Sequence, residues 1–145
     1  MFDPYEQALL WTGSDVGIVV PPDEQMHLVA ISDPVVNDSV GDQADTLTAH
    51  GGVVFWFGST DPSPAVNRMA TLNLFAAARL SAWTVPLLHG PVLITGVDQD
   101  GMPSGLSEAQ LQLLRFGAGP NRWATMILRA RERRAERRRR ARERA

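Results

Sequence analysis

The chain contains no cysteine and no lysine, and only one tyrosine. Without cysteine there is no disulfide framework, no thiolate metal site and no cysteine nucleophile, and a reducing compartment is expected. Without lysine there is neither a Schiff base nor the lysine of a phosphate-binding Walker loop. The first residues, Met1-Phe2-Asp3-Pro4-Tyr5-Glu6, have no basic region and no apolar run of signal-peptide length, so export is not expected. A long uninterrupted apolar run is missing too. The stretch from Ala65 to Leu88 comes nearest, but Arg68, Asn73 and Arg79 interrupt it. An arginine near the middle of a membrane span costs about 2.5–3.5 kcal/mol on insertion scales. A buried amphipathic helix followed by a loop accounts for the stretch better, and no membrane partner is expected.

What remains is the composition of one ordinary domain. The chain has 145 residues, 44% of them apolar, with four Trp and five Phe to fill a core. Its net charge of −2 conceals a division. Through Arg122 there are four arginines against 13 acids, a net of −9, and from Trp123 onward there are 10 arginines against three glutamates, a net of +7. This separation is the most unusual property of the sequence.

The pattern along the chain is that of an α+β domain. Pro4 to Trp11 reads as a short helix stopped by Gly13. Val16–Val20 and Met26–Ile31 read as strands, and Asp33-Pro34 starts a short helix towards Val40. Gly41 to His50 is polar and reads as a loop. Val53-Val54-Phe55-Trp56-Phe57, bracketed by glycines, has no polar alternation and is expected to be a central strand buried on both faces. After a turn at 59–64, Ser63-Pro64 predicts an N-cap and first helical residue. The helix to about Ser81 places Val66, Met69, Ala70, Phe75, Ala76 and Leu80 at roughly helical spacing. Pro91–Gly96 is a further strand, Asp98–Gly101 a turn, and Ser107 with Gln110 a capping box for a helix through Phe116. Gly117 and Gly119-Pro120 mark a break. The expectation is a single small α+β domain over 1–119, with a mixed sheet of three or four strands, and a basic helical tail over 120–145.

Motifs for chemistry are sparse. His27, His50 and His89 are scattered without metal-ligand spacing, and no metal or cofactor is expected. Asp98-Gln99-Asp100-Gly101 begins like a calcium loop but has Pro103 where the turn glycine belongs and no glutamate at the twelfth position. No serine lies in Gly-x-Ser-x-Gly, and no carboxylate pair is favoured by spacing. Catalysis has little support, and the chain reads as non-enzymatic.

Two features are candidate binding sites. One is Asn67-Arg68, read either as a partner contact or as a backbone-bonded Asn beside a solvated Arg. The other is the tail, where Arg129, Arg131, Arg133, Arg134, Arg137, Arg138, Arg139, Arg140, Arg142 and Arg144 surround a helix on nearly all sides. Glu136 can pair with Arg140 at i,i+4. With no apolar residue after Leu128 except alanine, a coiled-coil seam is absent. Three readings of the tail stay open. It grips nucleic-acid phosphates, it docks on an acidic protein surface, or it is a solvated terminus. Lacking interleaved aromatics, it is not expected to read sequence.

Three segments in order carry a resemblance: the aromatic strand 53–57, Asn67-Arg68-Met69-Ala70-Thr71, and Leu88-His89-Gly90-Pro91-Val92-Leu93-Ile94-Thr95-Gly96. Together they resemble a family of small proteins of bacteriophages and mobile elements, known as domain of unknown function 3846, over roughly residues 16 to 114. That family usually has a Val-Gly-Gly turn ahead of its middle strands, matched only in part by Val40-Gly41-Asp42. The resemblance implies a phage or prophage accessory protein in the host cytoplasm and brings no catalytic residues. The expected function is therefore non-enzymatic binding of a host or phage macromolecule, a protein or, through the tail, DNA or RNA. The alternative is a non-specific nucleic-acid-binding protein acting through the tail alone. A chain ending at Gly119 should separate the two. Opposite charges on one chain also lead us to expect self-association that weakens with salt.

Overall fold

In a computed structural model of the chain, the described residues are 15–22, 26–32, 34–41, 43–58, 65–78, 80–117 and 122–144. The expected helix at Pro4–Trp11 and the turn and cap at Ser59–Pro64 lie outside them.

The strands are β1 (Val16–Val20), β2 (His27–Ala30), β3 (Ala44–Thr48), β4 (Val54–Gly58), β5 (Val92–Val97) and the short β6 (Pro103–Ser104). The helices are α1 (Val35–Val40), α2 (Arg68–Ala78), α3 (Glu108–Gly117) and α4 (Arg122–Arg144). Five strands run in the order β2-β1-β5-β4-β3, with β6 paired to β5, and each pairing is antiparallel. The chain is thus a small α+β domain with a C-terminal helix.

Register explains the core. Leu28, Ile18, Ile94, Phe55 and Leu47 stand opposite one another in one row across all five strands. Ile18, Ile94 and Phe55 in that row have no exposed surface, each contributing about 1.5–3 kcal/mol by burial. Against this face pack Ala70, Leu74 and Ala77 of α2, Leu111 and Leu114 of α3, and Ala124 and Leu128 of α4. The next row, Val19, Leu93 and Trp56, turns to the other face and packs with Val35 and Val36 of α1. There the Trp56 indole N–H donates to Thr95 Oγ1 at 2.8 Å. Gly17 is required on β1, because a Cβ there would lie 2.9 Å from the Ile94 carbonyl oxygen.

Several expectations are corrected. The polar stretch Gly41–His50 holds β3, an edge strand that turns only Leu47 towards the main core while Asp45, Thr46 and Thr48 face water. With β3 and β6 the described strands number six rather than three or four. The aromatic strand is interior, but the middle position belongs to β5, whose first five residues are all buried. Helix α2 begins at Arg68, not Pro64, and ends at Ala78, leaving Leu80 outside it and 42% exposed. Asn67 captures the start, accepting from the Ala70 N–H at 3.1 Å. The capping box forms as expected: Gln110 N–H donates to Ser107 Oγ at 3.2 Å, and Ser107 N–H to Gln110 Oε1 at 2.9 Å.

Helix α4 joins the core through Ala124 and Leu128, which are 5% and 4% exposed. Truncating Leu128→Ala should therefore cost about 2–5 kcal/mol in denaturant unfolding, as for other core leucines. The loss should appear in the single transition of the whole domain, monitored by far-ultraviolet circular dichroism.

Candidate functional site

Asn67 lies where β1, β5 and α2 converge. Its amide donates to the carbonyls of Val20 at 2.7 Å and Gly90 at 2.9 Å, while its Oδ1 caps α2. Its backbone N–H donates to Leu88 O, and Thr71 Oγ1 donates to Asn67 O while accepting from Leu88 N–H. The residue has no exposed surface, and all these bonds hold the fold. Its neighbour Arg68 points the other way, out of the first turn of α2.

Arg68 meets α4. Its Nε and Nη2 donate to the two carboxylate oxygens of Glu132 at 2.8 and 3.1 Å, a bidentate pair that raises the Arg68 pKa above its ordinary value. One turn further along, Glu136 Oε1 accepts from the Val66 N–H at 3.3 Å, and its Oε2 accepts from Arg139. Arg131 Nη1 donates to the Ala82 carbonyl at 2.8 Å. Glu136 is thus committed to Arg139 at i,i+3 and not to Arg140. One carboxylate oxygen is taken by the domain, which turns the other towards Arg139. Arg139 also donates to Glu143 at 3.0 Å.

These contacts fix which side of α4 faces the solvent. Ala124, Leu128, Arg131, Glu132, Ala135, Glu136 and Arg139 are buried or half-buried. Arg122, Arg129, Arg133, Arg134, Arg137, Arg138, Arg140, Arg142 and Arg144 are exposed. Two of the three tail glutamates are therefore turned towards the domain, and the exposed surface carries nine arginines with Glu143 as its one acid, beside exposed Trp123 and Met126. The signal in the sequence was the spacing of Glu132 and Glu136, four residues apart and eight and twelve after Ala124.

Two shallow grooves flank the helix. One, of about 470 Å³, is lined by Arg68 and the arginines 129, 133, 137 and 140 together with Glu132 and Glu136. The other, of about 520 Å³, is lined by His89, Ala135, Glu136, Arg138, Arg139, Arg142 and Glu143. Elsewhere, His27, His50 and His89 belong to three separate segments, and no group of three or more metal-ligating side chains occurs among the described residues. The Asp98 carboxylate accepts from the N–H groups of Asp100 and Met102, both at 2.9 Å, so it closes the β5–β6 turn. No helix among the described residues is long and apolar enough to cross a membrane.

Comparison of the chain with protein-family models, curated proteins and solved structures gave no match.

Two predictions separate the neighbours Asn67 and Arg68. Asn67→Ala leaves two buried carbonyls and a helix N–H short of a partner and should cost about 2–4 kcal/mol of stability. Arg68→Ala breaks an exposed pair and should cost about 0.2–1 kcal/mol. Thermal unfolding of both variants checks the contrast. A third concerns pH. The Glu136 pKa is lowered, chiefly by its hydrogen bond from Arg139, so its contribution is present above the unfolded glutamate pKa and lost as pH falls through the lower folded value. The stability gap between the natural chain and Glu136→Gln should be constant near neutrality and close below the ordinary glutamate range, as read by urea titration at a series of pH values.

Proposed function

We propose that the protein is a binding module without catalytic activity, and that it grips the phosphate backbone of nucleic acid through the outward face of α4. The observation that carries this reading is the sorting of charge on the helix. Glu132 and Glu136 bond to the domain at Arg68 and Val66, and the exposed residues of the helix include nine arginines against one acid, Glu143. Each phosphate neutralised by such a face releases counterions, which favours binding independent of sequence. The flanking grooves carry Glu132, Glu136 and Glu143 beside their arginines, so the support for phosphate binding lies in the exposed arginines of the outward face and not in the grooves. The resemblance of the sequence to phage proteins adds the setting. The protein would act in the host cytoplasm as a phage or prophage accessory, with the domain giving α4 its orientation.

The test is fluorescence anisotropy with labelled DNA across a salt series. The natural chain is compared with Arg133→Gln/Arg134→Gln/Arg137→Gln/Arg138→Gln, which leaves Arg68 and Arg131 in place. We expect a log–log salt slope of magnitude about 4 or more for the natural chain, reduced by at least about 1.5 in the variant. Salt-insensitive binding, or none at low salt, would reject the reading. Tighter binding to polyglutamate than to DNA would instead identify an acidic protein as the partner.

A further inference from the structure

The arginines of α4 are not spread evenly over its outward side. Arg122, Arg129, Arg133, Arg137, Arg140 and Arg144 follow one another at intervals of seven, four, four, three and four residues. At about 100° per residue they fall in a strip about 80° wide that runs about 33 Å along the helix. All six are exposed, and Met126, 60% exposed, lies in the same strip. The strip contains no acid. Glu132, Glu136 and Glu143 form a row of their own, about 80° round the helix from the centre of the strip, on the flank next to Arg68.

This arrangement discriminates between two ways of meeting nucleic acid. An α-helix seated in the major groove of a duplex fills a channel about 12 Å wide and so presents both flanks to phosphates. On α4 one of those flanks is the glutamate row, of which Glu132 and Glu136 are engaged with Arg68 and Val66 of the domain. A duplex lying against the strip from outside has a backbone that spirals away from a straight line of cations after a few phosphates. A single strand is flexible and can follow the strip from Arg122 to Arg144. Its unstacked bases can then rest on guanidinium planes and on the Met126 thioether.

We infer that the strip binds one extended nucleic-acid strand laid along α4, in preference to a duplex; this rests on the phosphate-binding reading above. The domain's part is to hold Glu132 and Glu136 by Arg68 and the Val66 N–H, at the edge of the strip and not within it.

The experiment uses the full chain with a labelled oligothymidylate and with a mixed-sequence duplex of equal length, and two charge-matched variants. Arg133→Gln/Arg137→Gln/Arg140→Gln removes three charges from the strip, and Arg134→Gln/Arg138→Gln/Arg142→Gln removes three that lie about 100° to 180° round the helix from its centre. Circular dichroism confirms that both keep the helix. The expected result is tighter binding of the single strand. The strip variant should lose about tenfold or more in affinity and about 2 in salt slope, against less than about threefold for the other. Tighter binding of the duplex, or equal losses in the two variants, would overturn the inference while leaving phosphate binding intact. Absence of binding to either probe would reject both.

Discussion

The Asn67 side chain binds the end of β1, the approach to β5 and the first turn of α2 to one another, and the placing of α4 against the domain is built outward from that junction. Its three hydrogen bonds are made where water cannot substitute for them, so each missing partner would cost about 1–3 kcal/mol. Because Asn67 caps α2, the next residue, Arg68, must leave the helix end on the side away from the sheet. Because Val66 precedes it in the bridge to His89, its N–H is left pointing at α4. Those two groups receive Glu132 and Glu136. A buried amide in the domain thus decides where two acids of the last helix go, and by exclusion where its arginines go.

The energies divide into two kinds. Burial of Ala124 and Leu128 holds α4 to the domain, with Leu128 alone contributing about 1.5–3 kcal/mol. The Arg68–Glu132 pair, at 56% and 18% side-chain exposure, contributes only about 0.2–1 kcal/mol. The ion pair is therefore a weak glue, but it is selective about rotation. Turning α4 by one residue, about 100°, would withdraw Leu128 from the core and bring an arginine against Arg68. The apolar contact supplies most of the attachment, and the glutamates set the rotation of the helix about its axis.

How much of this was legible in the sequence depends on whether the signal was local. β1, β5 and the Ser107–Gln110 capping box were legible because they are coded within a few residues, by β-branched runs or by cap chemistry. β3 was not, since an edge strand with one inward leucine and exposed Asp45, Thr46 and Thr48 looks like a polar loop. The start of α2 was misplaced because two good caps compete. Ser63-Pro64 has the better local pattern, and Asn67 prevails through Val20 and Gly90, partners 47 and 23 residues away. The arginine tail was visible as a charge run, but its orientation was not. The docked face of α4 has only Ala124, Ile127 and Leu128 as apolar core contacts, and beyond Leu128 it continues through half-buried Arg131, Glu132, Ala135, Glu136 and Arg139, which carry no amphipathic stripe a periodicity search would find.

Charge and packing also change at different places along the chain, and this bears on how the tail can be studied. The charge reverses after Arg122, whereas the core continues to Leu128 and the polar attachments to Glu136. A chain ending at Gly119 would remove arginines and core together. It would expose the apolar surface that Ala124 and Leu128 cover and free Arg68 from Glu132. Any loss of binding would then report a damaged fold as readily as a missing contact. Exchange of exposed arginines for glutamine keeps the helix-forming tendency of the residue and leaves the docked face untouched. It is the perturbation that changes the field of the outward surface and nothing beneath it. On this protein, the function of the tail has to be dissected in place.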